Sequence, residues 1–342
     1  MRRKTRLALL VAGGLCLLGA LVFIATMSLC HWDFTLLEWE EEQMKQKIIE
    51  QSFESILITD DTTDIRILPS SDGRVSLQTY EKKNITHTVA VEDGTLKIEL
   101  VDHRKWYQRI SFFNFSKQEI LLYLPKENYK SLVAQTNTGD VGIACGEFTL
   151  ERIEVTTDTG DVRCFSPATQ DICIKTDTGD VECFTLSAQD ISVTTDTGDI
   201  DLFEVNANSL TLSVRTGDIE LKEIECEGKI QLQLTTGDTD LSRVRCASLL
   251  SKGNTGDIEL SDVIASGTFH IERSTGDVTF HSSDASEIYV TTDTGDVKGT
   301  LLTEKIFLTK TDTGNIRVPD TVSGGRCQIQ TDTGDIILSL KV

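Results

Sequence analysis

The sequence predicts an all-β chain: a parallel β-solenoid of about eleven coils, each 19–20 residues long, behind an N-terminal transmembrane helix. Three observations carry this reading. A Thr-Gly pair recurs with its Gly at 139, 160, 179, 198, 217, 237, 256, 276, 295, 314 and 334, and a fixed period of this size marks a repeat architecture. Apolar residues alternate with polar ones on both sides of that Gly, which is the period of a strand with one buried face. Residues 7–29 contain no charged side chain, enough to span a bilayer core of about 30 Å as a helix.

The elements follow in order. Residues 1–6 form a basic tail with Arg2, Arg3, Lys4 and Arg6. With residues 7–29 as the span, the positive-inside rule places this tail in the cytoplasm and the rest of the chain outside. A cleaved signal peptide is the rival reading, but its apolar region would be shorter and a small-x-small site should follow. Residues 30–52 read as a juxtamembrane helical stalk with a charged run at Glu38 and Glu40–Glu42. Residues 53–130 read as an N-terminal β region of short alternating runs such as Ile56/Ile58, Ile65/Ile67 and Leu96/Ile98/Leu100. A basic, aromatic segment over 103–117 interrupts them. Its residues Trp106, Tyr107, Phe112 and Phe113 suit either an exposed contact loop for a glycan or lipid headgroup, or a cap over the first coil. Repeat arrays need caps, and the cap is preferred.

Residues 131–342 form the repeat array. Counting from each Gly as zero, position +2 is Val or Ile in every copy except Thr239, and position +4 is mostly apolar, from Ile143 to Leu338. Positions −5 and −7 are also mostly apolar, as in Val155 and Ile153. Two strands therefore flank each Thr-Gly turn, and a column of small residues at +9 (Ala188, Ala207, Cys226, Cys246, Ala265, Ala285) suits a tight corner. Cys164 and Cys183 share one column and Cys226 and Cys246 another. Adjacent-coil disulfides are conceivable, but small buried free thiols are the preferred reading.

The net charge of −21 excludes a nucleic-acid binder, and it becomes −25 without the basic tail. Position +1 is Asp in every copy except Asn315, and position −2 is Asp in six copies. Stacking sets Asp158, Asp161, Asp177, Asp180, Asp196 and Asp199 in two columns, candidate ligands for a Ca²⁺ ladder, since Ca²⁺ takes many oxygen ligands. The competing and preferred reading is turn geometry and solubility. No other cofactor is expected. Catalytic residues are not expected either: His31, His87, His103, His270 and His281 are scattered, and Asp here is the repeat rather than a break in it.

The Leu124-Pro125-Lys126 motif, the Tyr129-Lys130-Ser131-Leu132 strand and the serial Thr-Gly-Asp-Val/Ile coils resemble a bacterial "putative adhesin" family of unknown function, found in LiaG-like and YvlB-like envelope proteins. The resemblance spans about residues 53–342 and implies a right-handed solenoid, commonly membrane-linked, without catalytic residues. The expected role is a membrane-anchored, extracytoplasmic binding or adhesion module, or one serving the envelope stress response, with a protein or glycan ligand. A Ca²⁺-binding structural solenoid and a polysaccharide-acting β-helix enzyme are the alternatives. Residues 336–342 end the array without a cap motif, so self-association through solenoid ends is also expected.

Overall fold

The computed structural model describes residues 3–29, 43–82, 84–104 and 119–341. Helix α1 covers Arg3–Leu29. Taken over the described residues, no helix is long and apolar enough to cross a membrane. The remainder is β structure, a solenoid of about ten turns.

The chain does not enter this solenoid at its end. Strands β1 (Gln43–Ile49), β2 (Ser55–Thr59), β3 (Asp64–Pro69), β4 (Val75–Glu81), β5 (Ile85–Glu92), β6 (Thr95–Asp102), β7 (Glu119–Leu124), β8 (Asn128–Thr138) and β9 (Val141–Ile143) build the first part. β2 and β3 form a coil that stacks parallel on β8 and β9. β6 and β7 stack parallel on the opposite side of β2 and β3. The spatial order is thus β6/β7, then β2/β3, then β8/β9. Antiparallel strands close this end: β5 on β6, β4 on β7 and β1 on β4.

Two expectations are corrected here. Residues 43–49 are a strand, not part of a helical stalk, because pairing with β4 supplies their backbone partners; tertiary context overrides the local helical propensity. Residues 30–42 of the stalk lie outside the described residues. Residues 55–69, read as a separate N-terminal region, are a coil of the solenoid in which Thr63 occupies the Gly position. In register, Ile65 sits beside Val141.

Between residues 181 and 294 each coil has three strands rather than two. In the pairing of Val181–Thr197 with the next coil, register runs over 181–184, 186–188 and 190–195, with breaks at Thr185, Gln189 and Asp196. The cross-section is therefore three-sided. The break at +6 is a column of residues with left-handed φ: Thr185 (55°), Glu204 (55°), Glu223 (58°), Arg243 (54°), Asp262 (55°) and Ser282 (53°). These polar, non-Gly corners carry no turn signature. The +9 column belongs to the short third strand and faces inward, where only small side chains fit beside the corner. Inward columns at +2, +4, +7, −5 and −7 form one continuous core.

The far end is also out of chain order. Strand Gly325–Thr333 pairs with the coil of Gly295 on one side and with Lys305–Thr313 on the other. Ile336–Leu340 likewise lies between Val297–Leu301 and Ile316–Arg317. The last coil in sequence is next to last in space, and the Gly314 coil is outermost.

Candidate functional site

Each residue of Thr-Asp-Thr-Gly-Asp has a separate task in the corner. The Thr at −3 points inward; the hydroxyl of Thr195 donates to the carbonyl of Gly179 in the preceding coil at 3.3 Å, as do Thr157, Thr176 and Thr292 at their own corners. The Asp at −2 and the Thr at −1 face solvent. The Gly is required by close approach as much as by backbone angle. At Gly198, φ is +138°, and an added Cβ would sit 2.1 Å from the carbonyl oxygen of Gly179.

The Asp at +1 wires one coil to the next. Oδ1 of Asp180 accepts the backbone N–H of Asp199 at 2.9 Å, and Oδ1 of Asp199 accepts that of Asp218 at 2.8 Å. The ladder begins at Asp64, which accepts from Asp140, and ends at Asp335, which accepts from Asn315. One oxygen of each of these carboxylates is therefore committed to the backbone. This bears on the Ca²⁺ ladder: Asp161, Asp180 and Asp199 belong to the wired column, whereas Asp158, Asp177 and Asp196 belong to the exposed −2 column, where Asp196 pairs with Arg215 at 2.9 Å. Among the described residues no group of three or more His, Cys, Asp or Glu is placed to hold a metal ion.

The outward side of the +2 to +5 strand is chemically distinct. A second, largely acidic column stands at +3: Arg163, then Glu182, Asp201, Glu220, Asp240 and Glu259, with Arg163 paired to Glu182 at 3.2 Å. Burial pushes the carboxyls of Asp201 and Asp240 up, and neighbouring carboxylates push them further, Glu220 and Asp199 for Asp201, Glu259 and Asp238 for Asp240. Beside this column, at +5, three half-buried rings form a ladder: Phe165 to Phe184 at 5.6 Å between centroids, and Phe184 to Phe203 at 6.2 Å. On its other side, at +6, stand Ser166, Thr185 and Glu204. This aromatic row, bordered at +3 by Arg163, Glu182 and Asp201, is the candidate contact face. The Phe column escapes the inward apolar pattern of the sequence, because +5 faces outward. The aromatic loop residues Trp106, Tyr107, Phe112 and Phe113 lie outside the described residues.

Two buried polar clusters complete the survey. Arg273 stands at −3, where other coils have Thr, and is 4 % exposed. Its Nη2 donates to Ser251 Oγ at 3.0 Å and to Thr239 Oγ1 at 3.2 Å, and its stem crosses Gly253. Thr239 and Ser251, polar interruptions of the core columns, are thus the seat of this guanidinium, whose pKa desolvation lowers to about 10. At the other end, His87 Nε2 lies 2.8 Å from Asp60 Oδ2, and Glu81 Oε1 accepts the His87 backbone N–H at 3.1 Å. Asp60 Oδ1 also accepts the N–H groups of Asp61, Thr62 and Thr63. These hydrogen bonds overcome burial and hold the Asp60 carboxyl below its ordinary range. The His87 side chain is 2 % exposed and that of Asp60 0 %, so this acid–base pair has no access to substrate; it fixes the Gly-less corner of the first coil. His270 and His281 are half-exposed, each with one carboxylate partner. Cys164, Cys183, Cys226, Cys246 and Cys327 are free and buried.

Solved structures similar to this chain are of low identity and low TM-score. A "putative adhesin" from Bacteroides fragilis NCTC 9343 is 18 % identical with a TM-score of 0.36, over 87 % of this chain and 97 % of that one. A "putative adhesin" from Parabacteroides distasonis ATCC 8503 is 12 % identical with a TM-score of 0.40, over 85 % and 97 %. A "putative lipid binding protein" from the same organism is 13 % identical with a TM-score of 0.27, over 87 % and 97 %. No curated relative matches the chain. Residues 53–250 and 246–342 match the sequence model of the Toastrack DUF4097 family, which takes in every coil described above, and the chain belongs to that family.

Proposed function

We propose that this protein is a non-catalytic binding module of the cell envelope, held at a membrane by residues 7–29, with the solenoid on the extracytoplasmic side. The observation that carries the binding reading is the Phe165–Phe184–Phe203 ladder with the carboxylates of Glu182, Asp201 and Glu204 beside it. Half-buried rings beside desolvated carboxylates suit a cationic, partly apolar partner such as a Lys- or Arg-bearing polypeptide, through charge pairing and cation–π contact. The polar residues of the repeat are committed to building the coil, which speaks against an enzyme, since catalysis needs a local departure from the repeat.

The anchor reading rests on sequence and on the surface of α1. Leu15, Leu17, Leu18, Leu21 and Phe23 are each more than half exposed, an apolar surface that calls for lipid or a partner. The basic residues before it give the orientation. A role in the envelope stress response rests on the family resemblance alone.

The test is binding of the full-length protein to a Lys/Arg-rich peptide, with an uncharged glycan and an acidic peptide as controls. Binding should weaken at high salt and fall about tenfold or more in Phe184→Ser, because an aromatic contact of about 1.5 kcal/mol is worth that factor. Equal binding to all three ligands, or none to the basic peptide, overturns the assignment of this face. Protease protection of residues 43–342 in intact spheroplasts overturns the topology.

A further inference from the structure

The Gly314 coil is unlike every other coil. Its +2 residue, Ile316, is 45 % exposed, whereas its neighbours in that column, Ile336 and Val297, are fully buried. The core is bare there because no strand pairs the outer side of Lys305–Thr313 or Ile316–Arg317 among the described residues. On the outward face of Lys305–Thr313, beside Arg326 and Gln328, Ile306 and Leu308 are also exposed, at 45 % and 47 %, and Val322 is exposed at 91 %. The opposite end differs: its parallel stack is closed by antiparallel β4, β5 and β1.

Charge narrows the choice of occupant. The chain carries −21, so two copies repel along most of their surface. Residues 302–322 sum to no net charge, with Lys305, Lys310 and Arg317 against Glu304, Asp312 and Asp320. Lys305 is buried against Asp284 at 2.6 Å, so the exposed remainder carries only −1. The +1 ladder also loses its charge in this coil. Everywhere inward, an Asp accepts the N–H of the following coil. The outermost coil has no following N–H, and its residue is Asn315. An Asn can both donate and accept, so it can face its own copy, where two Asp would repel.

We infer that the Gly314 coil is a self-docking end, and that two copies join through it as a closed, two-fold, tail-to-tail dimer. A two-fold axis across the rod runs Lys305–Thr313 antiparallel to its mate, a pairing that an open edge accepts. The bare ends of the two cores then cover each other. Among the described residues the Gly314 coil is the one bare parallel end of the stack, the other being covered by antiparallel strands, so the contact closes at two copies and does not propagate into a filament. This inference does not depend on the ligand or membrane readings above.

Sedimentation velocity of the full-length protein in detergent, over a wide concentration range, tests it. The expected result is a reversible monomer–dimer equilibrium without larger species. Ile316→Lys and, separately, Leu308→Lys should each weaken the dimer about tenfold or more; both residues are largely exposed, so the fold should tolerate the change. Met44→Lys, on the antiparallel end, should have no effect. A monomer at every concentration, an open series of polymers, or a dimer indifferent to both end-coil variants overturns the proposal.

Discussion

Replacing Gly198 by Ala tests the corner directly. The new Cβ would lie 2.1 Å from the carbonyl oxygen of Gly179 and 2.6 Å from its carbon, both backbone atoms of a paired coil. An ordinary contact of about 3.4 Å requires the coils to part by roughly 1.3 Å. Three backbone-donated bonds cross that seam: Gly179 N–H to Thr197, Val181 N–H to Asp199, and Asp199 N–H to Asp180 Oδ1, each at 2.9 Å. A parting of that size breaks two or three of them, at about 1 kcal/mol each. The backbone at φ +138° adds about 1–2 kcal/mol for a side chain. The expected loss is about 3–5 kcal/mol. Gly142→Ala is the matched control: its Cβ meets nothing nearer than the Arg66 side chain at 3.8 Å. It should gain up to about 1 kcal/mol, as Ala does over Gly within a strand. Urea unfolding of the full chain, followed through its strand circular dichroism, measures both. An added second transition in Gly198→Ala fits a seam opened mid-array, since solenoid cooperativity is local. If the two variants fall within about 0.5 kcal/mol of each other, close approach is not what holds Gly at the corner.

The acidic face and the buried guanidinium make two further predictions. The Asp201 carboxyl has a folded pKa above its unfolded value, so its strain is present at neutral pH and disappears as pH falls through the folded pKa towards 3.8. Asp201→Asn should therefore raise Tm at pH 7 and shrink the gain seen on acidifying towards pH 5; Asp60, shifted the other way, stabilises above 3.8 and loses that contribution only on further acidification. A variant whose Tm rises on acidification as much as the parent's argues against a repulsive +3 column. Arg273→Thr alone should cost about 2–4 kcal/mol in urea unfolding, through a cavity and two stranded hydroxyls. Adding Thr239→Val and Ser251→Val should recover most of it, since a well-packed apolar replacement of a buried charge is often neutral or better; losses that simply add would show that the three residues do not act as a unit.

Much of the solenoid was legible because stacking turns a period into a column. Val181, Ile200 and Ile219 could be placed on one inward column from spacing alone, and the structure buries all three. Three features were not legible. The third strand was hidden because Thr185, Glu204 and Glu223 turn the chain with left-handed φ and no Gly to announce it. The swapped order of coils at both ends was hidden because the chain pairs there with non-neighbours, and local period says nothing about which coil lies beside which. The clusters around Arg273 and His87 were hidden for the same reason: Thr239, Ser251 and Arg273 look like unrelated exceptions until stacking brings them together. On the acidic corner, sequence favours turn geometry without saying which Asp binds a backbone amide. The structure gives that role to the Asp after Gly, acting across coils rather than within its own turn.

That assignment changes what the acidic ladder can be used for. A carboxylate column 4.8 Å in step would ordinarily call for counter-charge. Here each rung receives a backbone N–H, so the coil itself supplies part of it. The chain is thereby free to extend an acidic rod of any number of coils, with outward positions such as +3 and +5 left to carry rows like Phe165, Phe184 and Phe203. The same logic explains the outermost coil: where the supply of N–H groups stops, Asn315 replaces Asp, and the rod ends on a nearly neutral, apolar surface. Twelve steps of about 4.8 Å separate β6/β7 from that surface, roughly 60 Å. Joined tail to tail, two such rods would span roughly 120 Å.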